Sequence, residues 1–270
     1  VRVVYRWALC PVSLVRHLQI GRFAVLVPSC RQPALRGNSV EVSMSGFLPI
    51  RRSVIVMALG AVCGSSAPAA AQYFGQNKVQ YRSFDFKIMR TDHFDIYFYE
   101  SERPGIDIAA RMAERWRVRL EKLLNYELRG RQPLVLYGSH TDFEQTNVIG
   151  GAIGEGTGGV TEPIRRRIVL PLAGPLADTD HVIGHELVHA FQFDMTTCPD
   201  TPPGRSGMDR LPLWFVEGMA EYLSIGPVDS NTAMWVRDAA RQEKLPAIKD
   251  LNNPKYFPYR WGQAVWAYIG

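Results

Sequence analysis

Five residues, "HELVH" from His185 to His189, set two imidazoles four positions apart with a carboxylate between them. On a helix, side chains at i and i+4 share a face, so two neutral imidazoles there converge on one metal ion. Glu186 is rotated from His185 by about 100°, which sets it beside the ligands as a general base would stand. With the histidine and glutamate content of this chain, a chance match is expected about 0.006 times, so the motif is informative. A catalytic ion needs a third protein ligand and an open position. The extended motif with Gly at 192 and His at 195 is ruled out, because Gln192 and Met195 stand there. His181 lies eight residues from His189, about 12 Å along a helix axis, too far for all three histidines to share an ion. Glu217, in "WFVEGMAEY", completes a His₂Glu set from a second helix. Glu221, one turn further, is placed to accept a hydrogen bond from a ligating imidazole. Both acids belong to a segment rich in Trp214, Phe215, Val216, Met219, Ala220 and Leu223. Its apolar content predicts burial, and a buried carboxylate requires a partner.

Those groups must be carried by definite elements. Residues 178–194 predict the motif helix, with Asp178 or Thr179 as its N-cap, and 213–225 a second helix closed by Gly226. Upstream, 84–100 predicts one or two strands and 105–128 a helix with Ile108, Met112, Trp116, Leu120, Leu123 and Leu124 at helical spacing. A short strand is expected at 133–138, a short helix over "TDFEQTNV", and a strand over 163–172. "GGAIGEGTGGV" contains a formal G-x-G-x-x-G, but a strand rather than a helix follows it, which excludes a dinucleotide loop. A mobile loop is the expectation there, and a Pro/Gly-rich loop is expected over 196–212. "RWGQAVWAYIG" predicts a helix with no stop signal, so the natural protein is expected to continue beyond Gly270.

The net charge of +5 misleads if taken whole. Residues 1–71 hold eight of the 31 Lys and Arg and one of the 26 acids, a net of +7. The remaining 23 basic and 25 acidic residues give 72–270 a net of −2, which removes the case for nucleic acid. From Met44, "SGFLPIRR", "SVIVMALGAVCG" and "SSAPAAAQ" form the charged, apolar and small-residue parts of a signal peptide, cut after Ala71. The expected organisation is therefore an over-extended start (1–43) outside the fold, a signal peptide (44–71), and one C-terminally truncated domain (72–270). The apolar run is shorter than the roughly 20 residues of a membrane span, and no span is expected in the mature domain. Cys63 is a candidate lipoprotein cysteine that Gly60 and Val62 suit poorly. The mature part keeps one cysteine, Cys198, so no internal disulfide is expected. The protein is expected to be exported, to the periplasm or cell envelope.

At "HELVH" and "WFVEGMAEY" the chain resembles the gluzincin metallopeptidases. It is most similar to the peptidase-MA-like domains of exported bacterial proteins, some of which precede a Tol-type β-propeller. The resemblance covers 185–189 and 214–222, and more loosely the order of elements from about residue 84. It implies an α+β, zincin-like fold: a small mixed sheet, an active-site helix carrying HELVH, and a second helix carrying the third ligand. It implies zinc held by His185, His189 and Glu217, Glu186 as catalytic base, Glu221 as the acid one turn past the third ligand, and a C-terminal propeller in the full-length protein. The interval from His189 to Glu217 is longer than in thermolysin-like enzymes. The aminopeptidase signature G-x-M-E-N is absent, and "GGVTEP" does not replace it.

The expected reaction is hydrolysis of a peptide or protein substrate by a zinc-activated water. Glu186 would take the water's proton and pass it to the leaving amine. Tyr259 is the first candidate to face the developing oxyanion, with Tyr222 and His181 behind it; a merely packed aromatic is an equal reading of Tyr259. "PIRRRIVLPL" would pair with substrate as an added strand, unless Arg165–Arg167 protect a sheet edge. A non-catalytic zinc-binding scaffold or interaction module of the envelope is the alternative. The intact Glu186 and the lack of cysteine ligands argue against it. Hydrolysis of a non-peptide amide at the same metal would use the same residues.

Overall fold

The computed structural model describes residues 15–20, 23–28, 78–197 and 206–270. The expected signal peptide, Cys63 and Cys198 lie outside them. Within the first 43 residues, β1 (Val15–Ile20) and β2 (Phe23–Pro28) pair antiparallel as a separate two-stranded sheet.

The remaining described chain is mixed α and β around one small sheet. β3 (Lys87–Arg90) and β4 (Phe94–Phe98) form an antiparallel hairpin, so the 84–100 segment is two strands. α1 (Arg103–Leu124) crosses to β5 (Gln132–Tyr137), parallel to β4. After α2 (His140–Glu144) and a Gly-rich stretch come β6 (Val160–Thr161) and β7 (Ile168–Pro171). β7 runs parallel to β5, and β6 antiparallel to β7, giving the order β3-β4-β5-β7-β6. Then follow α3 (Leu176–Thr196), α4 (Leu213–Ile225), α5 (Ser230–Arg241) and α6 (Pro258–Ile269).

Alternation drives the sheet's packing. Phe94, Ile96 and Phe98 point to one face with Leu134, Leu136, Ile168 and Leu170. Ala109, Ala113, Trp116 and Leu120 of α1 and Ile183, Leu187 and Phe191 of α3 cover them. Burying each large side chain contributes about 1.5–3 kcal/mol. On the opposite face Tyr99, Tyr137, Phe143, Ile153 and Val169 form a smaller cluster. α1 and α3 meet closely at Gly184, where a Cβ would come within 2.7 Å of the Trp116 ring.

Several expected boundaries move. α3 starts at Leu176, not at 178: Pro175 occupies the cap position and its carbonyl accepts from the Asp178 and Thr179 amides at 3.0 and 3.1 Å. The strand expected over 163–172 begins only at Ile168, because the chain turns through Arg166 at φ 53°. β7 also cannot add a substrate strand, since β5 and β6 occupy its two edges; the free edges of the sheet belong to β3 and, on this side, β6. Two of the three arginines are not edge guards either. Arg167 Nε bonds buried Glu162 at 2.8 Å, and Arg166 pairs with buried Asp194. α5, amphipathic but with Thr232 as its one buried residue, has no counterpart in the sequence reading.

Asp194 ties the far half of α3 to the rest of the domain. Its carboxylate accepts from the Arg129 amide at 3.0 Å, Arg129 Nε at 3.0 Å, Tyr126 Oη at 2.9 Å and Arg166. Asp194→Ala should cost about 2–4 kcal/mol, below the full penalty for breaking a buried pair because both arginines can turn toward water. Urea unfolding of the metal-free protein measures it, and a loss under about 1 kcal/mol contradicts this anchoring role.

The last contact that matters for the site joins α4 and α6. A Cβ on Gly218 would lie 2.3 Å from the Gly262 carbonyl carbon, and one on Gly262 would lie 2.0 Å from the Trp214 carbonyl oxygen. The two backbones touch, and Trp266 Nε1 then donates to the Phe215 carbonyl at 3.0 Å. This seating delivers Tyr259 and Arg260 to the same region as α4's acids.

Candidate metal centre

α3 and α4 bring His185, His189 and Glu217 together. The His185 and His189 Nε2 atoms are 3.1 Å apart, and each lies 3.3 Å from Glu217 Oε2. Both rings are held with Nε2 pointing inward. His189 Nδ1 faces Gln192 Oε1 at 2.8 Å. His185 Nδ1 lies 3.1 Å from Glu221 Oε1, a contact close enough for an ion pair though off the best hydrogen-bond line. A neutral imidazole with its proton on Nδ1 has its lone pair on Nε2. Two such lone pairs and a carboxylate oxygen at mutual contact need a proton or a metal cation among them. Donors at tetrahedral angles around an ion of zinc's bond lengths stand about 3.3 Å apart, and the triangle has that size. His185, His189 and Glu217 thus form a group that could hold a metal ion.

His181, His185 and Glu221 form a second such group. It fits an ion less well. It would require the Nδ1 of His185, which carries the proton when Nε2 is the donor, and Glu221 Oε2 is already engaged by Arg260 at 3.2 Å. Arg260 is in turn shared with Asp229, also at 3.2 Å. His181 Nε2 sits 3.4 Å from Glu221 Oε1, so it braces the same carboxylate and does not line the cleft.

The charges favour a cation. Burial alone would lower the His185 pKa, but Glu217, Glu221 and Glu186 outweigh it and raise it to about 10. Burial also opposes the Glu217 charge, yet His185 and His189 hold its pKa down at about 2. In the metal-free protein at neutral pH, His185 therefore carries the proton that a metal must displace, while Glu217 is already ionised. Metal binding at pH 7.5 should release about one proton, and affinity should rise about tenfold per pH unit toward pH 10. Calorimetry in buffers of different ionisation enthalpy reads this directly. A flat pH dependence with no proton release excludes His185 as the site of competition.

Glu186 stands outside the triangle. Its carboxylate accepts from Thr161 Oγ1 at 2.6 Å. The β6 strand can approach so closely because residue 159 is glycine: a Cβ there would meet Glu186 Cγ at 2.9 Å. Tyr259 stacks on the His185 ring, centroids 5.7 Å apart. Burial, and then the carboxylates of Glu217 and Glu186, push its phenol pKa far up, so it remains a proton donor. Tyr222 instead packs against Trp266, and of the three oxyanion candidates Tyr259 is the one lining the cleft.

These groups open into a cleft of about 490 Å³. β6 forms one wall, and Phe193, Met208, Leu211, Leu213 and Val216 make another that is apolar. Thr161 and Gln192 were not named as site residues from the sequence. Gln192 had a signal, the i+3 spacing from His189; Thr161 had none, because its place depends on strand pairing. No protein-family model, curated protein or solved structure matches the chain.

Proposed function

We propose that this domain is a zinc-dependent peptidase of zincin-like fold, cleaving peptide bonds in a polypeptide laid across the cleft. The observation that carries the reading is the inward-facing Nε2, Nε2 and carboxylate triangle with a separate buried carboxylate, Glu186, beside it in an open cleft. When bound, zinc supplies a Lewis acid that acidifies a water and polarises a carbonyl. His185, His189 and Glu217 would hold it. Glu186, fixed by Thr161, is the proton acceptor and returns the proton to the leaving amine. Tyr259 Oη is the neutral donor for charge developing on the carbonyl oxygen. The free edge of β6 offers backbone groups to an extended substrate, and the apolar wall accepts a large side chain beside the cleaved bond. The gluzincin likeness of "HELVH" and "WFVEGMAEY" agrees with this reading, and the signal-peptide pattern of the sequence over 44–71 supports a site of action outside the cytoplasm. Against a scaffold without turnover stands the position of Glu186, which a structural ion does not need. Among the described residues no helix is long and apolar enough to cross a membrane.

The test is metal content together with cleavage of an unbiased peptide library by residues 72–270 and by a longer chain. Stoichiometric zinc with chelator-sensitive cleavage is the expected result. Zinc without cleavage by either protein favours the scaffold, and absence of zinc removes the reading altogether.

A further inference from the structure

Gln192 lies buried on α3, one turn past His189, and uses both ends of its amide. Its Nε2 donates to the Val216 carbonyl on α4 at 3.1 Å, and its Oε1 faces His189 Nδ1 at 2.8 Å. These two contacts leave no freedom. A backbone carbonyl only accepts, so the amide nitrogen must face Val216, which turns the amide oxygen to His189. An amide oxygen only accepts, so His189 must carry a proton on Nδ1, and the neutral ring then presents a lone pair at Nε2. Val216 immediately precedes Glu217 in the chain. The polarity of one α4 carbonyl thereby sets the tautomer of a histidine on α3, and the same bond fixes the spacing between that histidine and the carboxylate facing it.

We infer that Gln192 is a positioning residue that locks His189 in its metal-binding tautomer and orientation through the contact of its amide oxygen with Nδ1. Glu221 has the corresponding place at His185, so each imidazole is held from behind by an acceptor of its own. This role rests on the metal site proposed above, where second partners of ligating histidines raise affinity by about 10–100-fold.

Two substitutions separate positioning from packing. Gln192→Met keeps the length and removes both polar ends. Gln192→Glu keeps an acceptor for His189 Nδ1 and loses the donor to Val216. Zinc affinity is read by competition with a chromophoric chelator, and folding by circular dichroism and thermal unfolding. Q192M should bind zinc about 10–100-fold more weakly. Q192E should bind within about threefold of wild type, even if its melting temperature falls, because the histidine contact survives. Equal weakening in both variants means that the link between helices is what matters, and overturns the role. Q192M binding as tightly as wild type overturns it too. A wild-type protein that holds no zinc overturns the metal site, and this role with it.

Discussion

Glu186→Gln is expected to keep its zinc and its fold while losing about 10²–10⁴-fold in kcat, with KM little changed. The reason is the separation of Glu186 from the ligand triangle. His185, His189 and Glu217 close the three contacts among themselves, and Glu186 bonds Thr161 instead. Glutamine has the same shape, and the Thr161 hydroxyl can serve an amide oxygen as it serves the carboxylate. What disappears is the capacity to accept a proton. The loss belongs in kcat because the substitution leaves β6 and the apolar wall, the proposed substrate contacts, untouched. Zinc content, melting temperature and steady-state kinetics on one cleaved peptide are enough to check it. A variant as fast as wild type means that another group moves the proton, and the assignment of Glu186 falls.

Glu217→Ala and Glu221→Ala should separate equally clearly. Glu217 Oε2 is 3.3 Å from both Nε2 atoms, so its removal opens the triangle and should strip the protein of stoichiometric zinc on dialysis. Glu221 touches His185 only at Nδ1, behind the metal face, and its loss should weaken binding by about 10–100-fold. It also releases Arg260 and His181 from their shared partner, so some stability should go with it. Metal analysis after dialysis against a graded series of free zinc concentrations distinguishes the two. If Glu221→Ala loses the ion and Glu217→Ala retains it, the group of His181, His185 and Glu221 is the site, and Arg260 must move away.

The parts of this centre that lie within one turn of helix were visible in the sequence. His185 and His189 share a face by spacing alone, and Glu217 and Glu221 stood out as acids in a segment otherwise made for burial. Contacts between distant segments were not visible. Asp194 looks like an ordinary polar residue near a helix end, and only the fold brings Arg129, Arg166 and Tyr126 around it. The Gly-rich stretch predicted a loop, yet its end supplies β6, because pairing with β7 rather than local propensity makes the strand. α5 escaped notice since it buries little, with Thr232 its one buried residue. Gln192 was noted only as a residue that excludes another motif, although its amide decides how His189 is oriented.

The contact of Gly218 with Gly262 makes the phenol of the cleft depend on two residues that do not line it. The proposed ligands His185, His189 and Glu217 lie on α3 and α4. Tyr259 and Arg260 arrive with α6, whose seating requires two bare backbones to meet. A side chain at either glycine would therefore push α6 away from α4 and carry Tyr259 off the His185 ring, while the ligand triangle on the other two helices kept its place.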